Sequence, residues 1–373
     1  MKKNFAALAV PLFFSIGMTA GPALADGNSG RLFIDRDVDT FAVLPKDVRQ
    51  PEGIAANPAN GDIYVATFDF ANPNKLLRYN RHGQLLAQRD FGNTPLLGLI
   101  FDPVQGKVYI TNAGDLAGVG VAKIQRIAAN FNSATPIEDV ATVTGTSVGA
   151  PAPRHEKNNP DGSEDIITFG SNFAPALNAM DFDKKGNLYV SDSFQGAIFQ
   201  ISDVRNCAPG CVATLFAHDP LLATAGFPPF GANGLAFNGD ASVLFIANTG
   251  DDRVLKLDTQ TKVVTVFAES INGADGIVFD NNGLLWVCAN QADEVVALNT
   301  NGKIVAKLGE FRGINRNGTP DGLLFPASPV IVGDEIFVTN LAISLTNNAP
   351  HDEPEDDVKL WTISRMKLPH GQD

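Results

Sequence analysis

The sequence predicts an all-β fold, a six-bladed β-propeller closed by a strand from its own N-terminal segment. Three observations predict it. An aromatic-centred strand recurs six times along the chain. Each copy is followed by further strands of alternating pattern, joined by hairpin turns. No amphipathic helical segment of convincing length competes with them.

The recurring strands are DIYVATF (62–68), KVYITNA (107–113), NLYVSDS (187–193), VLFIANT (243–249), LLWVCAN (284–290) and EIFVTNL (335–341). Their aromatics align as Tyr64, Tyr109, Tyr189, Phe245, Trp286 and Phe337, spaced 45, 80, 56, 41 and 51 residues apart. A fixed period of this size marks a repeat architecture. The one long spacing marks an insertion. Segments such as KLLRYN, GAIFQISD, RVLKLD and EVVALN follow the aromatic strands, and LLAQRDF, VATLFA, VVTVFA and IVAKLGE come next. Alternation rich in β-branched and aromatic residues reads as half-buried antiparallel strand. NRHGQ, DTQTK and NTNGK supply the hairpin turns. Four strands in each of six repeats make the propeller. The last repeat reaches its third strand at VKLWTIS (358–364), so DTFAVLP (39–45) is expected to complete that blade and close the ring.

The ends and loops complete the layout. Lys2 and Lys3, an apolar run from Phe5 to Met18, and Ala23-Leu24-Ala25 before Asp26 read as a secretory signal peptide over 1–25. The expected domain is therefore 26–373, a single propeller that is periplasmic or secreted. Cys207 and Cys211 flank a short Ala-Pro-Gly turn and could pair in an oxidising compartment. A CxxxC metal site is the alternative, without a further Cys or His cluster to complete it. Cys288 sits in an apolar strand and reads as a small buried hydrophobe. Turns between the first and second strand of each repeat are short. The connections around 128–175, 218–232, 309–320 and 341–357 are long, and they are expected to share one face. The first should hold the outer strand of blade 2, IEDVATVT, and then a lid, APAPRHEKNNPDGSEDI.

Charge narrows the partners. The chain has 28 Lys+Arg against 41 Asp+Glu, a net charge of −13. That argues against nucleic acid and against an anionic membrane surface. Hydrophobic residues at 44% and charged residues at 18% exclude a disordered chain. A small-molecule partner is the remaining expectation.

The chemistry is expected where each repeat opens its innermost strand. The six segments are PEGIAANP, LLGLIFDP, LNAMDFDK, ANGLAFNG, ADGIVFDN and PDGLLFPA. They align Glu52, Leu97, Asn178, Asn233, Asp275 and Asp321 around the channel mouth. Asn-Gly and Asp-Gly are also turn signals. Turn chemistry alone, however, gives no reason for acids and amides in register, and Glu is a poor turn residue. Crowded carboxylates repel unless a cation or shared protons intervene. Hard oxygen donors suit Ca²⁺, then Mg²⁺ or another divalent cation. Of the five His, His82 and His370 lie where solvent is expected, while His155, His218 and His351 lie in long loops where a proton shuttle could sit.

PEGIA, NGLAF and ADGIVFDNNGLLWVCAN together resemble the family of senescence marker protein and gluconolactonase, with diisopropylfluorophosphatase and the paraoxonases as more distant relatives. The resemblance spans about residues 50–345. It implies a divalent metal, usually Ca²⁺, held by Glu52, Asn178, Asn233 and Asp275, and hydrolysis of a lactone. Ala179 stands after Asn178 where the other three matched positions carry Gly. Asp275 is expected to act both as ligand and as base or nucleophile, with Asp321 as the second catalytic candidate. The alternatives are phosphotriester hydrolysis, a strictosidine synthase-like enzyme, or a non-enzymatic binding propeller on the same scaffold.

Overall fold

The computed structural model describes residues 32–369 apart from 115, 117–119, 146–147, 157–158, 170–173 and 347–352. The expected signal peptide, His351 and His370 lie outside the described residues. Six antiparallel four-stranded sheets form six blades. Their inner strands are Pro51–Asn57, Leu96–Asp102, Leu177–Phe182, Ala232–Phe237, Ala274–Phe279 and Pro326–Val332, blades 1 to 6 in turn. Each packs beside the next, and the sixth packs beside the first, so the ring is closed.

Closure follows the expected route. Asp39–Val43 pairs antiparallel with Thr362–Lys367 as the outer strand of blade 6. That third strand begins four residues later than the sequence suggests. A further strand was not expected. Phe33–Asp35 adds in parallel to Ile304–Leu308 at the edge of blade 5. It covers an edge that would otherwise be open to pairing.

The recurring aromatics explain why the blades hold together. Tyr64, Tyr109, Tyr189, Phe245, Trp286 and Phe337 are all buried. Each belongs to the apolar cluster shared by its own blade and the following one, with Phe337 reaching back to blade 1. The repeat is therefore a wedge between neighbours, and removing one such ring costs about 3–5 kcal/mol.

The long connections are less uniform. Glu138–Thr144 is the outer strand of blade 2, as expected. The insertion after it forms a small hairpin, Arg154–Glu156 with Asp165–Ile167. Arg154 anchors this hairpin to Asp251 of blade 4 at 2.6 Å. Cys207 and Cys211 form a disulfide. Among the described residues, no helix is long and apolar enough to cross a membrane.

Candidate active site

All six inner strands carry the same irregularity. The ladder slips between the first and fourth residue, at Pro51/Ile54, Leu96/Leu99, Leu177/Met180, Ala232/Leu235, Ala274/Ile277 and Pro326/Pro329. A bulge frees a residue from the ladder and re-aims its side chain. The second residue of each strand sits in it: Glu52, Leu97, Asn178, Asn233, Asp275 and Ala327. The Asn-Gly and Asp-Gly pairs are therefore bulges and not turns. Their glycines serve close approach between blades. A Cβ on Gly53 would lie 2.0 Å from the Leu97 carbonyl oxygen, and one on Gly234 would lie 2.3 Å from that of Asp275.

Blade 6 corrects the sequence alignment. Asp321 is not its channel residue. It lies in the strand Pro320–Gly322, which pairs with Phe311–Ile314 in a separate hairpin. There it is half-exposed and ion-paired to Arg312 at 2.7 Å. The inner strand starts later, at Pro326, and its bulge residue is Ala327. The string DGLLF copies the local pattern of ADGIVF without its place in the sheet.

The other four polar residues meet in one pocket. Glu52, Asn178, Asn233 and Asp275 line a funnel of about 430 Å³, counting the space open to solvent at its mouth. All four are buried. Thr249 and Asn290 join them, and Phe68, Leu97, Phe230 and Leu341 are among the apolar walls.

A second row of residues, at the end of each second strand, orients the first. The Ser193 hydroxyl donates to the Ala232 carbonyl at 2.7 Å, and the Thr249 hydroxyl donates to the Ala274 carbonyl at 2.8 Å. Each hydroxyl has one hydrogen, so it can only accept from its other neighbour. Asn178 Nδ2 donates to Ser193 at 3.3 Å and Asn233 Nδ2 donates to Thr249 at 2.8 Å. Both amides thus turn their nitrogen to the wall and keep the carbonyl oxygen free of it. Asn290 Nδ2 donates to Asp275 Oδ2 at 3.1 Å, and the Asn290 backbone N–H is fixed on the Gly273 carbonyl at 3.0 Å. Hydroxyls one turn deeper lock the backbone, with Thr111 donating to the Asn178 carbonyl, Ser191 to that of Asn233 and Thr339 to that of Glu52, at 2.6–2.7 Å.

Three oxygens in this pocket have no hydrogen-bond partner although they are buried: Glu52 Oε2, Asp275 Oδ1 and Asn290 Oδ1. Acceptors left so carry a large desolvation penalty. Burial, with the charge of Asp275 nearby, pushes the Glu52 carboxyl well above its ordinary range. Burial raises Asp275 to about 7, against the pull of the Asn290 and Asn233 amides. The same burial and the same two acids hold the Cys288 thiol protonated. The arrangement suits a divalent cation, because two carboxylates balance its charge and amide oxygens add neutral ligands. Among the described residues no cluster of three or more His, Cys, Asp or Glu could hold a metal. Any metal here would therefore depend on the amides.

The described histidines stay outside. His155 is exposed beside Glu164, and His218 ends the outer strand of blade 3. Neither lines the pocket, and nor does any described residue of 128–175. Sequence reasoning missed Ser193, Thr249 and Asn290. Each stands four residues after the recurring aromatic, a position the repeat already marked.

A closed six-bladed propeller with a buried, two-carboxylate, amide-lined pocket at one channel mouth defines the class. Within it, residues 176–309 match the SMP-30/gluconolactonase/LRE-like region. This bears out the resemblance read from PEGIA, NGLAF and ADGIVF. Its span covers blades 3 to 5 and holds Asn178, Asn233, Asp275 and Asn290. The fold is similar to that of a luciferin-regenerating enzyme, with a TM-score of 0.56 at 14% identity over 87% of this chain and 93% of that one. It is also similar to a calcium-binding protein, regucalcin, from Agrobacterium tumefaciens, with a TM-score of 0.53 at 14% identity over 89% and 94% of the two chains. A gluconolactonase from Xanthomonas campestris gives a TM-score of 0.50 at 12% identity over 92% and 99%. No curated protein matches the chain in sequence.

Proposed function

We infer that the protein is a divalent-cation-dependent hydrolase of a small ester, with a lactone as the natural substrate class and Ca²⁺ as the cation. The observation that carries this is the trio of buried, unpartnered oxygens on Glu52, Asp275 and Asn290. The match over 176–309 supports the lactone. Glu52, Asn178, Asn233 and Asp275 would hold the ion, with Asn290 beside them. When bound, a divalent ion supplies Lewis-acid polarisation of the ester carbonyl.

The residues themselves do the rest. Asn290 holds Asp275 by one oxygen, so the other stays aimed at the pocket. That free oxygen can take a proton from a water in the pocket and return it. Water attacks the carbonyl carbon and loses its proton to Asp275. The acyl carbon–oxygen bond then breaks, and that proton passes to the leaving oxygen. This route uses neither His155 nor His218, which lie outside the pocket lining. The apolar walls limit water to what the floor holds.

The test is hydrolysis of a panel of lactones and aryl esters, plus an aryl phosphotriester, before and after EDTA. We expect lactone turnover that EDTA abolishes and Ca²⁺ restores. Turnover indifferent to EDTA, or none on any substrate with Ca²⁺ present, refutes the reading. Turnover of the phosphotriester alone reassigns the chemistry on the same site.

A further inference from the structure

Two tiers of side chains face the channel mouth, the bulge residues and the residues that end the second strands. On blades 3, 4 and 5 both tiers are polar: Asn178 with Ser193, Asn233 with Thr249, and Asp275 with Asn290. On blades 6, 1 and 2 the second tier is Leu341, Phe68 and Ala113, and the bulge tier is Ala327, Glu52 and Leu97. Glu52 apart, that half of the mouth is hydrocarbon. Its members form one packed cluster with Phe325, joined by Phe230, Ile343 and Leu345 from the loops above. Phe68 meets Phe70 edge-on at 4.8 Å and Phe230 at 6.2 Å, so the wall continues upward as aromatic surface. Among the described residues, no Lys, Arg, His, Tyr or Gln lines the pocket.

We propose that the substrate is an ester or lactone bearing an alkyl or aryl chain, which lies against blades 6, 1 and 2 while its carbonyl meets the polar arc of blades 3, 4 and 5. The proposal rests on the hydrolase reading above. A sugar lactone is the poorer fit. It carries hydroxyls around its ring, and those facing this wall would find no partner. Each buried unpaired hydroxyl weakens binding by roughly tenfold or more. Each methylene of a chain laid on the wall strengthens it by about fourfold.

The experiment compares γ-valerolactone, γ-nonalactone and glucono-δ-lactone on the full mature chain with Ca²⁺. The first two differ by four methylenes, worth about 200-fold at full burial. We expect kcat/KM at least about tenfold higher for the nonalactone, and the sugar lactone at least about 10²-fold below it. Leu345→Ser and Leu97→Asn should raise KM several-fold more for the nonalactone than for the valerolactone. Leu345 is the partly buried position, so it keeps the test open should Leu97→Asn fail to fold. A sugar lactone equal to or better than the nonalactone overturns the proposal. So does a valerolactone that matches the nonalactone. Should nothing be hydrolysed, binding decides, by calorimetry with the pentyl-substituted γ-lactam and a polyhydroxylated lactam. Tighter binding of the pentyl lactam, weakened by Leu345→Ser, upholds the apolar ligand class while the hydrolase reading fails. No such binding removes both.

Discussion

Adding Ca²⁺ to the metal-free protein should expel protons, and the number should depend on pH in a way the pocket dictates. Burial places Asp275 near 7 and Glu52 well above the usual carboxylate range. At pH 6 a group of pKa about 7 is roughly 90% protonated, and the upward shift of Glu52 acts in the same direction. A dication needs both ionised, so binding there should release protons, that of Asp275 foremost. Above pH 7 Asp275 is ionised before the metal arrives, and the release falls. Apparent affinity should therefore rise with pH, more steeply near pH 5–6 than above 7. The stability sign follows. Both folded pKa values are raised, so between about pH 4 and 7 the folded chain binds more protons than the unfolded one, and metal-free stability falls as pH rises. For Asp275 alone, a change from 3.8 to about 7 corresponds to a loss on the order of 4 kcal/mol. Bound Ca²⁺ should remove that decline. Calorimetric titration at pH 6 in two buffers of different ionisation enthalpy counts the protons, and melting from pH 5 to 8 with and without Ca²⁺ reads the stability. No proton release at pH 6, with affinity flat from 5.5 to 8, would show that these carboxyls do not receive the ion.

Three further outcomes are expected. Asp275→Asn should stay folded and lose at least ~10²-fold in lactone turnover at saturating Ca²⁺, whereas Glu52→Gln should lose metal first and recover part of its activity in excess Ca²⁺; near wild-type turnover in Asp275→Asn places the base elsewhere. Gly53→Ala puts a Cβ 2.0 Å from the Leu97 carbonyl oxygen, backbone that cannot swing aside, and it should cost about 3 kcal/mol, measured as a lowered denaturation midpoint beside the control Gly239→Ala, an exposed glycine whose added Cβ would meet nothing within 4 Å. Exported protein should begin at Asp26, read by its intact mass; a mass retaining Met1 contradicts export through the proposed signal.

The ring was legible because its cause is local and repeated. A blade must wedge an aromatic against its neighbour, so Tyr64, Tyr109, Tyr189, Phe245, Trp286 and Phe337 announce six blades in a plain string of letters. The parallel strand Phe33–Asp35 had no such signal, because it only borrows a free edge of blade 5. The floor of the pocket was legible in five of its six ring positions for the same reason. The sixth misled because DGLLF matches by letters, while membership of the ring is settled by pairing. Pro326 and Pro329 open the real strand. Proline has no N–H to offer the ladder, and they flank a bulge where the pairing is already broken.

Asn290 and its equivalents show a different kind of illegibility. Ser193 and Thr249 look like ordinary strand ends, and their work depends on carbonyls of the next blade that no local window contains. Only the closed ring brings a hydroxyl from one blade between an amide of its own blade and a carbonyl of the next. The same geometry divides the pocket into halves with separate duties. The matched segment, 176–309, ends with the outer strand of blade 5 and so contains the polar arc, the half proposed to handle proton transfer and charge. The apolar half lies on blades 6, 1 and 2, outside that segment, with only Glu52 crossing over. Similarity of chemistry can thus persist on one side of the channel while the other side sets which chain is accepted, and a substrate inferred from the matched half alone would be chosen without the wall that selects it.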